Sequence, residues 1–105
     1  MIIRVYRCTV VPGQEAAFRQ YASSTSHPKI RQLPGLAAFY AGGPIVGSGE
    51  RTRCMVQLWE SAEALEAVLG PEWREPPQLP PEALALIDSQ SVEHYELRDE
   101  FRSGV

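Results

Sequence analysis

The chain contains 105 residues, of which 44% are hydrophobic and 22% are charged, a composition that excludes a disordered chain and suits one globular domain. Its formal net charge of −3 gives no general attraction for nucleic acid or an anionic membrane, so we expect neither as a partner. The N-terminal residues lack the long apolar segment of a signal peptide, and no apolar run approaches membrane-spanning length, so we expect a cytoplasmic protein.

The first third of the sequence predicts a strand followed by a helix. Residues 2–10 (IIRVYRCTV) are rich in β-branched and aromatic side chains, and residues 11–13 (VPG) end this strand with a turn. From residue 14 onward the apolar residues follow a helical spacing, at Ala17, Phe18, Tyr21, Ala22, Ile30 and Leu33. The polar residues 23–28 (SSTSHP) weaken this pattern, so the helix stops, bends or restarts there before Pro34-Gly35 ends it.

The middle of the sequence predicts a hairpin and a second helix. Residues 36–41 (LAAFYA) and 52–59 (TRCMVQLW) form two strands, joined by a long glycine-rich connection. Ser61 is a natural N-cap for the helix that follows, and Glu63 lies favourably in its first turn. Gly70-Pro71 ends this helix.

The last third of the sequence begins with an irregular crossing segment. Residues 71–81 hold five of the nine prolines, and Pro81 opens a short helix that we expect to run through Ile87. Residues 91–97 predict a final strand, and residues 98–105 a polar tail.

This order of elements predicts one α+β domain of the ferredoxin-like kind, with a four-stranded antiparallel sheet and the helices on one face. The side chains of each strand alternate between the two faces of a sheet, and in the first and third strands both alternating sets contain apolar residues. A sheet buried on both faces needs a second layer, and a second copy of the chain is the simplest source. We therefore expect a homodimer.

Three passages resemble the antibiotic biosynthesis monooxygenase family, a branch of the dimeric α/β-barrel group. The opening strand followed by residues 11–18 (VPGQEAAF) is similar to the entry into the family's first helix. Residues 33–36 (LPGL) resemble its turn into the second strand, and residues 56–65 (VQLWESAEAL) resemble its Trp-Glu-Ser signature. Together these passages span residues 2–69, with a looser fit in the final strand.

The resemblance implies a homodimer whose two sheets pack face to face, with a pocket in each protomer between sheet and helices. Members of the family include oxygenases that act on phenolic or quinol-like substrates without metal or flavin, so we expect no cofactor and no metal. Others degrade haem, using an Asn on strand one, a Trp late in helix two and a His after it. Here Arg7 or Cys8 stands at the first position and Val68 at the second, and no His follows in that region, which argues against haem degradation.

A cofactor-free oxygenase needs an apolar pocket for a small apolar or aromatic molecule, a proton acceptor and hydrogen-bond donors. His94 is the predicted acid/base, because an ordinary histidine titrates near ~6.5, and Tyr6 is the second predicted catalytic residue. The predicted substrate-binding residues are Trp59, Trp73, Tyr40 and Arg7. The other histidine, His27, precedes a proline at a predicted helix end and is interpreted as a surface or capping residue.

Other residues suggest no further chemistry. Cys8 and Cys54 lack the CxxC spacing of a zinc or redox site and are interpreted as small core residues without a disulfide. The arginines form only short clusters, interpreted as solvated surface; they are Arg4, Arg7, Arg19, Arg31, Arg51 and Arg53. Two functions stay open: a monooxygenase of small aromatic or quinol-type substrates, and a dimeric α/β-barrel that binds a small molecule, or acts in a stress response, without turnover.

Overall fold

The structure, a computed structural model, describes residues 1–104. Its strands are β1 (Ile2–Val10), β2 (Leu36–Gly42), β3 (Thr52–Trp59) and β4 (Ile87–Glu96). Its helices are α1 (Glu15–Tyr21), a π-helical turn (Ala22–Ser26), α2 (His27–Ile30), α3 (Ala62–Leu69) and α4 (Pro81–Leu84). The strands form one antiparallel sheet in the order β2-β3-β1-β4, which confirms the predicted ferredoxin-like fold. Within residues 1–104, no helix is both long enough and apolar enough to cross a membrane.

The predicted start and end of α3 are confirmed. The Ser61 hydroxyl accepts a hydrogen bond from the Ala64 backbone N–H at 3.0 Å, and Glu63 lies in the first turn. Gly70 ends the helix with φ of +86°, a conformation that glycine adopts without steric cost.

The last strand is longer than predicted. It begins at Ile87 rather than at residue 91, and α4 ends at Leu84 rather than at Ile87. The reason is that β1 pairs with β4 along its whole length, up to Val10 opposite Ile87, with a register shift beyond Thr9. Residues 98–104 form neither helix nor strand, and Val105, the last residue of the predicted tail, lies outside the described residues.

The register of β1 divides the sheet into two faces. Arg4, Cys8 and Val10 are buried, whereas Ile3 and Val5, which alternate with them, are only half-buried. We call the side of the even-numbered residues of β1 the helix face and the other side the open face. Directly paired residues share a face, so the pairing partners of β1 in β3 and β4 are assigned in the same way.

The core lies on the helix face, beneath α3. Trp59 and Leu65 are fully buried, and Trp73 from the crossing segment is 8% exposed. Leu36 and Val68 pack against this cluster. The Trp59 indole N–H donates to the Gln57 side-chain oxygen at 2.8 Å, so the polar atom of the largest core residue is satisfied.

The open face is apolar along its centre. Val5 pairs with Val56, and Ile3 pairs with Leu58. Tyr40 of β2 lies beside Val56 and is 64% exposed. The helices cover the other face of the sheet, so this apolar strip stays open in a single chain.

Two glycines with equal φ predict very different costs of substitution. Gly13 and Gly35 both have φ of +85°, but a Cβ on Gly35 would lie 2.7 Å from the Ala64 Cβ, whereas one on Gly13 would meet nothing within 4 Å. We expect Gly13→Ala to lower the free energy of unfolding by about 1 kcal/mol, from backbone strain, and Gly35→Ala by about 3 kcal/mol, because overpacking is added. Urea unfolding of the two variants measures this difference, and equal losses would contradict the close approach of Gly35 to α3.

Candidate functional site

A cavity of about 470 Å³ lies on the helix face, between the first helical segment and the strands. Its walls are mostly apolar, and it is open on one side. The helical segment contributes Phe18, Arg19, Ala22, Ser23 and His27. The sheet and the β2–β3 connection contribute Tyr6, Cys8, Ala41, Gly42, Gly43, Pro44, Arg53, Cys54 and Met55.

The π-helical turn explains why His27 reaches the cavity. In a regular α-helix each residue turns by about 100°, so His27 would lie about 140° away from Ala22 around the helix axis. Here the His27 backbone N–H bonds to the Ala22 carbonyl, five residues back, and the wider turn brings the two residues onto one face. The predicted interruption after residue 22 is therefore a π turn within a continuous helical segment.

The residues around the turn favour this conformation. Pro28 has no N–H to donate to the Ser24 carbonyl, and its ring would clash with that carbonyl in a regular helix. The hydroxyls of Ser23 and Ser24 donate to the Gln20 carbonyl at 3.3 and 2.6 Å and widen the helix locally.

His27 is suited to accept a proton. Its ring packs at 5.5 Å from that of Phe39, and burial, together with the positive charge of Arg31, lowers its pKa below the usual 6.5. The imidazole is therefore neutral at pH 7, and one ring nitrogen carries a free lone pair.

Tyr6 and Cys8 present uncharged groups to the cavity. Burial raises the pKa of the Tyr6 phenol, and the neighbouring Cys8 raises it further. Burial also raises the pKa of the Cys8 thiol, so a thiolate nucleophile is disfavoured at pH 7. The Tyr6 hydroxyl donates to the Gln90 side-chain oxygen at 2.9 Å, and its own oxygen keeps a lone pair that can accept a hydrogen bond from a ligand.

A second polar cluster on the helix face is built around Arg4. This side chain is 4% exposed, which corrects its predicted place on the solvated surface. Its Nη1 donates to the Trp73 carbonyl at 2.6 Å and lies 2.9 Å from the His94 Nε2. Because a guanidinium has only donors, His94 Nε2 accepts, and the His94 proton is assigned to Nδ1. The His94 ring also meets the Trp73 ring edge-on at 4.8 Å.

The structure separates the six residues predicted for the site. Tyr6 lines the cavity, whereas His94 and Trp73 meet at Arg4 and Trp59 fills the core. Tyr40 and Arg7 lie on the open face, where Arg7 forms an ion pair with Glu93.

The cavity contains residues that the sequence did not single out for it: Cys8, Phe18, His27, Arg19, Arg53 and Met55. Cys8 follows Tyr6 by two positions, so strand alternation was a usable signal for that residue. For His27 the local sequence gave no such signal, because a regular helical spacing places it on the wrong face.

No family model and no curated protein matches this sequence. Solved structures do match. An antibiotic biosynthesis monooxygenase-like protein from Deinococcus radiodurans has a TM-score of 0.68 at 16% identity, covering 98% of both chains. SnoaB, a cofactor-independent oxygenase from Streptomyces nogalater, has a TM-score of 0.70 at 16% identity, covering 97% of both chains. MhuD, solved with two manganese protoporphyrins per active site, has a TM-score of 0.71 at 18% identity, covering 98% of this chain and 100% of its own.

The chain has the fold of the antibiotic biosynthesis monooxygenases. The resemblance drawn from residues 2–69 is thereby confirmed as a likeness of fold, and it extends over nearly the whole chain.

That the chain departs from the haem-degrading branch stays a prediction, and the structure locates the residues concerned. Near the position of that branch's Asn, Cys8 lies on the helix face of β1 and Arg7 on its open face. Near the position of its Trp, Val68 of α3 packs against the core cluster of Trp59 and Leu65. The first histidine after α3 is His94 in β4, so none lies directly after the helix.

The Arg4 cluster predicts a loss of stability in mild acid. Burial, followed by the positive charges of Arg4 and Arg74, lowers the pKa of His94 below 6.5. The unfolded chain then binds this proton more readily, so the stability is fully present above pH 6.5 and is lost as the pH falls below it. The pKa of His27 is shifted in the same direction. We expect His94→Gln to reduce the loss of unfolding free energy between pH 7.5 and 5.5, measured by urea titration. His27→Gln should also reduce the loss, because the pKa of His27 is lowered too, and an unchanged loss in His94→Gln would contradict the prediction.

Proposed function

We propose that the chain is a cofactor-independent monooxygenase that acts on a small aromatic or quinol-type substrate in the cavity between α1 and the sheet. The observation that carries the proposal is the cavity itself, which combines apolar walls with the polar groups of Tyr6, His27 and Arg53. A volume of about 470 Å³ lies within the range of small-molecule sites in proteins. The structural likeness to SnoaB supports the same class of reaction.

The chemistry needs a base but no bound redox group. Removal of a phenolic or acidic C–H proton leaves an electron-rich anion, which supplies the electrons that reduce O₂. One oxygen atom is retained in the product and the other leaves as water. Neutral His27 is the proton acceptor in this scheme, because it lines the cavity and its lowered pKa leaves a lone pair free at pH 7. The Tyr6 oxygen accepts a hydrogen bond from a substrate hydroxyl and orients it.

Binding without turnover is the second candidate. Two observations favour it: His94 is held by Arg4 outside the cavity, and the Tyr6 proton is already donated to Gln90. His27 is then the one cavity residue suited to act as a base at pH 7. If substrates do not reach it, the same apolar walls still bind an aromatic molecule.

We further propose that the chain works as a homodimer through its open face. The central strip formed by Val5, Val56 and Leu58 is apolar and has no helix over it. Apolar strips of this kind mark interaction surfaces, and two copies related by a twofold axis cover each other. The Arg7–Glu93 ion pair lies on the same face, where a second sheet would reduce its exposure to water.

The enzyme proposal predicts oxygen consumption by metal-stripped, flavin-free protein with dihydroxynaphthalenes, anthrones or quinols. We expect uptake that depends on the protein and survives a chelator. His27→Ala should lower the turnover by about 100-fold, the usual contribution of a general base. His94→Gln should keep most of it, because His94 lies outside the cavity. If His94→Gln lost activity while His27→Ala retained it, the assignment of the base would be wrong. Tight binding of a panel member without oxygen uptake would favour the second candidate.

The dimer proposal predicts that a charge on the open face separates the protomers. Val56→Glu places a carboxylate in the centre of the apolar strip, and we expect light scattering at micromolar concentration to change from dimer to monomer. Ala67→Glu introduces the same charge on the exposed side of α3 and should leave the dimer intact. A monomeric unmodified chain would rule out the dimer.

A further inference from the structure

The charged residues that line the cavity are all basic. Its lining includes the cations Arg19 and Arg53 and the titratable His27, but neither an aspartate nor a glutamate. The chain as a whole carries 13 acidic against 10 basic residues, so the cavity is opposite in charge to the molecule around it. A cavity walled by apolar groups focuses such a field, because the low-dielectric walls screen it less than water does.

We propose that the ligand is an aromatic anion whose ionised acidic oxygen binds at Arg53, with Arg19 also lining the cavity, an inference that rests on the proposed function. Within the part of the chain that the structure describes, the ion pairs are formed by Arg7, Arg51, Arg98 and Arg102. Arg19 and Arg53 are not among them, so both positive charges remain available to a ligand.

Neighbouring groups orient the Arg53 side chain for binding an anion. Its Nη1 donates to the carbonyls of Glu50 and Thr52 at 2.9 and 3.1 Å, which fixes the head group through one nitrogen. The guanidinium carbon lies 5.8 Å from the centre of the Phe18 ring, a cation–π arrangement that places the charge at the cavity wall. The nearby Glu50 carboxylate accepts from the Gly47 N–H at 2.8 Å instead of pairing with Arg53.

The remaining donors of Arg53 suit an oxyanion. Nε and Nη2 make no hydrogen bond to residues 1–104, and this edge of a guanidinium binds a carboxylate through two parallel bonds. Phe18 and Met55 provide apolar surface for the ring that carries the anion. A positive charge at this place also favours ionisation of a bound phenol, which eases proton removal by His27.

The test compares probes that differ in charge but share a ring. The probes are 2-naphthoate, its neutral methyl ester and the cation 2-naphthylmethylammonium, each titrated by calorimetry into the full chain at pH 7.5. We expect the naphthoate to bind about tenfold more tightly than the ester, as a charge-assisted hydrogen bond provides, and the cation to bind least. This preference should shrink as salt is raised. Ionised 4-nitro-1-naphthol distinguishes a phenolate from a carboxylate as the preferred oxyanion.

Substitutions of single arginines then test which residue causes the preference for naphthoate over its ester. Arg53→Gln should remove most of the difference between naphthoate and ester, and Arg19→Gln part of it. Arg98→Gln removes an equal charge from the C-terminal segment, which does not line the cavity, and should change nothing. Arg53→Lys keeps the charge without the two-bond edge and should lie between the unmodified chain and Arg53→Gln. If Arg53→Gln folds poorly, Arg53→Lys and Arg19→Gln carry the comparison.

The outcomes separate this inference from the proposed function. Equal binding of naphthoate and ester, or an unchanged preference in both arginine variants, overturns the anion inference and leaves the aromatic-binding cavity in place. No binding by any of the probes overturns both.

Discussion

β1 hydrogen-bonds to a strand on each side, and the alternation of its side chains decides what each face of the molecule can do. Residues 4, 6 and 8 lie on the helix face and provide a buried cation, a phenol and a thiol. Residues 3 and 5 lie on the open face and provide the apolar strip. A slip of one residue in its pairing would exchange the two sets and destroy the cavity and the open strip together.

The helix face carries two polar centres with different roles. At one end, Arg4 is buried with no carboxylate partner among residues 1–104, and its hydrogen bonds to the Trp73 carbonyl and His94 tie the crossing segment to the sheet. Gln90 makes a similar tie, donating to the Pro77 carbonyl while it accepts from Tyr6. At the other end, Arg53 and His27 line an open cavity. The hydrogen bonds of the Arg4 centre are made within the chain and stabilise the fold. The centre of Arg53 and His27 keeps donors and acceptors that a ligand can use.

Much of the fold could be predicted because local signals agree with it. Alternating strands, the Ser61 cap and the glycines at the turns all point to the same arrangement. The candidate site was harder to predict from the sequence, because the residues that form it are brought together by strand pairing, and no single segment of the sequence specifies that pairing. His94 and Tyr6 are both on the helix face, yet His94 pairs opposite Arg4, two positions from Tyr6, and this shift places it outside the cavity. The burial of Arg4 depends on a carbonyl from the crossing segment, which no local pattern predicts.

Because of the π turn, the number of residues in Ala22–Ser26 affects two separate parts of the molecule, the cavity and the tryptophan core. Residues of α2 keep the angular offset that the π turn introduces, so the same extra residue orients His27 and sets the direction in which the chain leaves α2 towards Leu33. His27 borders the cavity, whereas Leu33 packs against the tryptophan core beneath α3. Loss of one residue from Ala22–Ser26 would rotate His27 by about 100° and redirect the chain that leads to Leu33. The number of residues in Ala22–Ser26 is therefore constrained as strictly as their identity. The composition of this segment, alanine, serine and threonine, alone suggests that it would tolerate insertions and deletions.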